Sequence, residues 1–236
     1  MPDPRPAHPF KIKRGPMFVL ALLSVHEVIL AMRSAGAKAG PMALKLECAR
    51  FSLREIDGQK VEHAELVGSG INRFFPRVRH QNQLIIAWGR VHEPSLAEVA
   101  GVRRTLSVEV DETTERWSVI LPDKRRIRFK EQDMATVEEM MVRARQDGEG
   151  AMLAQFSLIV DNLRASITHI DEEQVDEKML GGRRWSERFS VKDTMLLGEV
   201  WTDMQVGGDE DLEALGKPLG DGGTSSPTPP DTVISP

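Results

Sequence analysis

Ser24-Val25-His26-Glu27-Val28-Ile29 and Thr136-Val137-Glu138-Glu139-Met140-Met141 are the two stretches on which the reading of the fold turns. Each opens with a hydroxyl residue followed three positions later by a glutamate. In such a capping box the hydroxyl accepts from the third amide of a helix while the carboxylate reaches back to the cap amide. Both stretches therefore predict a helix start. Behind the caps, Val25, Val28, Ile29 and Met32, and then Val137, Met140, Met141 and Ala144, keep the i, i+3, i+4, i+7 spacing that gives a helix one buried stripe. Gly36 and Gly148 are placed to end the two helices.

Working outward, other features recur in the same order. Ile56-Asp57 and Val61 reappear 114 positions later as Ile170-Asp171 and Val175. Leu66 and Gly68 match Leu180 and Gly182, Phe75 matches Phe189, and Leu84 and Trp88 match Leu197 and Trp201 after a one-residue slip. A second helix is predicted over Met42 to Ala49 and again over Ala151 to Leu163. Strands follow at Phe51 to Ile56 and Ser166 to Ile170, each running into an acidic turn. A third helix carries Leu84, Ala87, Trp88 and Val91 in one copy and Leu197, Val200, Trp201 and Met204 in the other, the latter capped by Ser190-x-x-Asp193.

Between the copies, Leu106 to Val110, Trp117 to Leu121 and Ile127 to Phe129 alternate like strands of a β-meander, with Pro122-Asp123 turning the chain. The last hairpin corresponds to Phe10 to Lys13 followed by Phe18 to Leu22. The expectation is an α+β fold of two tandem copies of a β-hairpin plus about three-helix unit. The first, more diverged unit spans 8–104, the second, with the meander, spans 105–206, and a Gly-, Asp-, Ser- and Pro-rich tail over 207–236 is expected to be disordered. Ser24, Glu27 and Trp88 are paired in this scheme with Thr136, Glu139 and Trp201.

Composition narrows the function. The 236 residues carry a net charge of −5, so no global positive field draws the chain to nucleic acid or acidic lipid. One cysteine, Cys48, leaves no internal disulfide and no Cys-rich metal site. A basic stretch from Lys11 precedes the apolar run Met17-Phe18-Val19-Leu20-Ala21-Leu22-Leu23, which has the look of a secretory leader and would predict a mature N-terminus beyond about Leu30. His26 and Glu27 interrupt the run, and its counterpart inside the chain makes it read better as a strand.

No cluster demands catalysis. The six histidines include no i, i+4 pair, and His26-Glu27 and His92-Glu93 point their neighbours in different directions, so solvated surface roles are expected. Cys48 reads as a packed thiol. Glu138-Glu139 and Asp171-Glu172-Glu173 supply carboxylates to a helix start and a turn, without the facing, desolvated pair that acid/base work needs. Gly68-Ser69-Gly70 and Gly181-Gly182 lack the flanking strand, helix and lysine of a phosphate loop. No catalytic residue, cofactor, metal or small-molecule substrate is expected. The candidate partner-binding residues are Arg73, Phe74, Arg77 and Arg79, with Arg183, Arg184 and Trp185, because interleaved rings and cations can grip a chain. Lys124-Arg125-Arg126-Ile127-Arg128 reads instead as a strand with Arg126 and Arg128 on its wet face, which weighs against nucleic acid.

The second copy combines a hairpin ending in Leu121-Pro122-Asp123-Lys124-Arg125-Arg126-Ile127-Arg128-Phe129-Lys130-Glu131, a capped helix, a helix leading to Ile170-Asp171, and a final amphipathic helix introduced by Asp193. Over roughly Trp117 to Val206 this order resembles tail assembly chaperones and the related small baseplate assembly proteins of long-tailed bacteriophages. The resemblance implies a non-catalytic helper in the host cytoplasm, or a virion component, whose partners are phage tail or baseplate proteins and not a membrane. The chain departs from that family in carrying two units where one is usual.

Overall fold

The computed structural model describes residues 7–36, 38–111, 114–146 and 151–206. Ala7–Lys11 (β1) and Met17–Ala21 (β2) form an antiparallel hairpin whose turn holds Arg14 at φ 59°. Phe18 and Leu20 point inward from β2 and are buried, so the leader-like run is a strand of a sheet. Ser24 then caps Val25–Ala35 (α1): its Oγ accepts from the Glu27 amide at 3.2 Å, and Glu27 accepts from the Ser24 amide at 2.8 Å. Gly36, at φ 89°, ends the helix.

Pro41 opens Pro41–Ser52 (α2), which suits a residue with no amide to satisfy in a first turn. The chain continues through Leu53–Ile56 (β3), Gln59–Lys60 (β4) and the short helices His63–Leu66 (α3) and Ile71–Phe74 (α4), with a 3₁₀ turn at Gly68–Gly70 between them. Val78–His92 (α5) and Leu96–Arg103 (α6) follow, the latter capped by Ser95 and Glu98. The second segment runs Ser107–Asp111 (β5), Thr114–Ile120 (β6), Arg126–Lys130 (β7), Met134–Gln146 (α7), Ala151–Ser166 (α8), Ile167–Ile170 (β8), Glu173–Gln174 (β9), Arg183–Arg188 (α9) and Val191–Val206 (α10). Two antiparallel sheets result, ordered β1-β2-β3-β4 and β5-β6-β7-β8-β9. The fold is α+β.

Local geometry recurs between the segments. Asp57 and Asp171 both sit at positive φ, 50° and 54°. The first accepts from the Met17 amide at 2.9 Å and donates its own amide to the Met17 carbonyl at 2.8 Å, while the second does the same with Arg126 at 2.8 and 2.7 Å. Each thereby ties a hairpin to the strand beside it. Arg50 donates to the Gly68 carbonyl at 3.1 Å and Arg164 to that of Gly182 at 3.3 Å, both glycines lying near φ +60°. The β2–β3 ladder slips between Val19 and Leu20, and the β7–β8 ladder between Arg128 and Phe129. Leu66 and Leu180, Phe75 and Phe189, and Leu84 and Leu197 are all within 1% of full burial.

The register differs at one expected pair. Phe18 pairs with Ile56 as Ile127 pairs with Ile170, which places Asp133, not Thr136, opposite Ser24. Asp133 accepts from the Thr136 amide at 2.8 Å and from the Thr136 hydroxyl at 2.7 Å, so α7 starts one turn before the predicted Thr136/Glu139 box. An Asp with its acceptor oxygens outcompetes a Thr that serves equally well as the third helical residue. Trp88 is 2% exposed and Trp201 half-buried, so the two indoles sit at different depths. Gly148, the side chains of Met141 and Ala144, and the tail 207–236 lie outside the described residues.

By contacts the chain divides into Met1–Trp201 and Thr202–Pro236. Within the former the two segments meet: α1 packs on α8 and α9, Ser24 forms a β-bridge with Ser190, and the His26 amide donates to Ser186 Oγ at 3.3 Å. Lys192 of α10 pairs with Glu98 of α6 at 2.6 Å.

Candidate interaction surfaces

A single turn of helix can hold its place only if its inward residues are well anchored. Ile71 and Phe75, 1% and 0% exposed, anchor α4, and Gln81 pins the bend by donating to Asn72 Oδ1 at 2.7 Å and to the Phe75 carbonyl at 3.0 Å. The outward residues are then fixed. Arg73 lies 5.4 Å from the centre of the half-buried Phe74 ring, and Arg77, Val78 and Arg79 are exposed at the start of α5, Val78 by 75%. Four of the seven candidates therefore share one corner, between α4 and α5.

Arg183 and Arg184 are exposed at the start of α9. Trp185 is not a surface residue. It is fully buried, donates from Nε1 to Thr194 Oγ1 at 3.0 Å, and packs on Phe189 at 4.5 Å between ring centres. In a six-residue helix one side must face the core, and Trp185 occupies the place that Ile71 takes in α4. An indole supplies more area to that core than any contact it would make in solvent.

Strand alternation builds a second surface that the sequence reading treated only as a wet face. Trp117, Val119, Ile127 and Phe129 point into the core, which leaves Arg116, Ser118, Arg126, Arg128 and Lys130 on the other side of the sheet. The ladder sets Arg116 beside Lys130, and Ser118 beside Arg128 beside His169. A groove lined by Glu109, Arg116, Arg128, Lys130, Thr168 and His169 runs across this face, with Glu172 paired to Arg128 at 3.3 Å. Cations in neighbouring rows reinforce one another's potential toward an anionic partner.

Two histidines expected at the surface are buried instead. His92 is fully enclosed: its Nε2 accepts from the Leu23 amide at 2.9 Å, and its Nδ1 lies 3.0 Å from the Trp88 carbonyl, to which it donates. The ring is thus neutral, stacked on Trp88 at 4.9 Å, and it joins the end of α5 to the link between β2 and α1. Burial pulls its pKa down to about 4, against a smaller opposing effect of the Trp88 carbonyl. His80 is 4% exposed, and burial followed by the charges of Arg79 and Arg77 also lowers its pKa. Membership of the amphipathic stripe of His80, Leu84, Ala87, Trp88, Val91 and His92 is the sequence signal for burial of both histidines.

The strongest candidate for chemistry is Glu47, 5% exposed, with Ser34 Oγ at 3.1 Å, His63 Nε2 at 2.9 Å and Arg50 at 2.8 Å. Burial raises the carboxyl's pKa, but hydrogen bonds from Arg50 and His63 outweigh it and the net shift is downward. A relay to a serine nucleophile needs the imidazole between hydroxyl and acid. Here the carboxylate lies between the other two, so the imidazole does not reach Ser34. The Arg50–Glu47 pair has a counterpart in Arg164–Asp161 at 3.0 Å, which marks it as part of the loop-holding framework. Burial pushes the Cys48 thiol up to about 12, which makes it a packed thiol rather than a nucleophile. Among the described residues no three His, Cys, Asp or Glu side chains are grouped to hold a metal, and no helix is long and apolar enough to cross a membrane.

Compared with family models, curated proteins and solved structures, the chain matches none of them.

Proposed function

We propose that this chain is a non-enzymatic assembly factor of a long-tailed bacteriophage, built from two copies of one α+β module and working by binding tail or baseplate proteins. The observation that carries this reading is the recurrence of a hairpin, two helices, two short strands, a short helix and a long helix in the same order, down to the Asp57/Asp171 and Arg50/Arg164 hydrogen bonds. A module repeated for its shape is an adaptor's design: each copy presents surfaces, and the polar groups inside serve to hold loops. The Arg73, Phe74, Arg77 and Arg79 corner is the binding surface assigned to the first copy, and Arg183 with Arg184 to the second.

Mass spectrometry of purified particles separates the two forms of this reading. A transient helper is absent from mature virions, whereas stoichiometric amounts there assign a structural baseplate or tail component. Co-purification of tagged full-length chain from infected cells, with and without Arg73→Glu and Arg77→Glu, tests the surface; recovery of tail proteins unchanged by the substitutions overturns that assignment.

The basic sheet face favours a second reading, a nucleic-acid-binding accessory protein. Filter binding to single- and double-stranded DNA over a salt series tests it, since phosphate contacts weaken steeply with salt. Arg128→Glu with Lys130→Glu abolishes retention if that face binds, and retention indifferent to salt dismisses the reading.

A further inference from the structure

The contact between the two segments is not self-complementary. The first segment offers α1 and the second offers α8 and α9, whereas the counterparts of these faces, α7 on the second segment and α2 with α4 on the first, form no comparable contact among the described residues. Residue by residue, Ser24 and His26 bond to Ser190 and Ser186, whereas their counterparts Asp133 and Ala135 make no such bridge to Pro76 and Asn72. A heterologous contact of this kind, repeated with the same rotation, yields a ring or a filament.

The unused faces are less covered than the used ones. Val28 and Ala31 of α1 are fully buried, but Val137 and Met140, which take their places on α7, are half-buried, and Val142 is 50% exposed. Phe156 of α8 is 7% exposed, whereas Met42, at the same place on α2, is 55% exposed. Charge favours the same pairing: Glu138 is exposed one turn along α7 from Ala135, while the corner around Asn72 presents Arg73, Arg77 and Arg79. We propose that a second copy of this chain docks its α2/α4 corner on α7, so that the contact inside the chain continues between chains and the protein assembles head to tail.

This inference does not depend on the phage reading. It is tested by sedimentation velocity on the full-length chain over a dilution series, at low and high salt. Oligomers larger than dimers that dissociate as salt rises are expected, because the pairing is between exposed charges. Two double variants, Ala135→Arg with Glu138→Arg and Arg73→Glu with Arg77→Glu, change only exposed positions, and circular dichroism checks that each folds. Each alone carries like charge on both faces and sediments as a monomer, and mixed in equal amounts they reassociate beyond a dimer, because the reversed faces attract each other as the native ones do. A wild-type chain that stays monomeric throughout overturns the proposal, as does a dimer that both variants retain, which would be a symmetric contact elsewhere.

Discussion

Replacing His92 by Phe should destabilise the protein at neutral pH and yet make it less sensitive to acid. The native imidazole is neutral and enclosed, with its pKa lowered by burial to about 4. In the unfolded chain the same ring takes a proton near its ordinary value of 6.5. The folded state thus gains from His92 above that value, and the gain is lost as pH falls from 6.5 toward 4. At about 1.4 kcal/mol per pKa unit the loss amounts to about 3 kcal/mol, a large share of a typical stability of ~5–15 kcal/mol. Phenylalanine keeps a ring against Trp88 but leaves the buried Leu23 amide without its acceptor, at a cost of about 1–3 kcal/mol. Urea unfolding followed by far-ultraviolet circular dichroism, at several pH values between 8 and 4.5, measures both effects. The variant should be the weaker protein at pH 8, and the gap should close on acidification while the residual slope of His80 remains. A penalty that stays constant from pH 8 to 4.5 would refute the neutral, hydrogen-bonded imidazole.

Trp185→Ala should cost about 3–5 kcal/mol by removing a buried indole and its hydrogen bond to Thr194, whereas Arg184→Ala one residue away should stay within about 0.5 kcal/mol; thermal denaturation of the two tells them apart. Gly68→Ala and Gly182→Ala should each lose about 1–3 kcal/mol in urea unfolding, because both sit near φ +60° with open space where the methyl would go, so the cost is conformational. Glu98→Gln should flatten the stability profile below pH 4.5. Burial raises this carboxyl's pKa, but Lys192 and Ser95 hold it down at about 2, so its contribution is present above 4.5 and fades as pH falls through 2. An identical acid slope for the wild-type chain and the Glu98→Gln variant in that window would remove Lys192–Glu98 from the forces joining the segments.

The elements that were legible in the sequence are those whose rule is local. Ser24-x-x-Glu27 and Ser190-x-x-Asp193 became the caps they spell, because a cap needs only residues three apart. Ser95-x-x-Glu98 carries the same signal and starts α6, a helix that the three-helix expectation passed over. Thr136-x-x-Glu139 misled for the same local reason: two overlapping caps were on offer, and the choice of Asp133 goes with the ladder register of β7 against β8, a pairing distant in sequence that fixes where the strand hands over to the helix. The burial of Trp185 is decided by tertiary packing, and a basic flank says nothing of what lies on the other side of a short helix, whereas His92, four residues after Trp88, shares the buried stripe of α5.

The two segments differ most where they face each other or fail to. In the second, Arg125 reaches from the hairpin turn to Asp193 at 3.0 Å and to the Arg188 carbonyl, clamping β6 and β7 to the start of α10. In the first the corresponding turn holds Gly15, whose missing side chain leaves room against Ile12 and His80, and a buried imidazole fills the place of the Asp193 carboxylate. A salt bridge and a close-packed glycine are different solutions to one problem, that of fastening a hairpin to the last helix. The first uses a partly buried ion pair; the second uses a buried imidazole, beside which Arg77 and Arg79 stay exposed. Arg77 and Arg79 thus flank a buried ring at the start of α5, and in the head-to-tail assembly proposed above Glu138 on α7 of the next chain is what they meet.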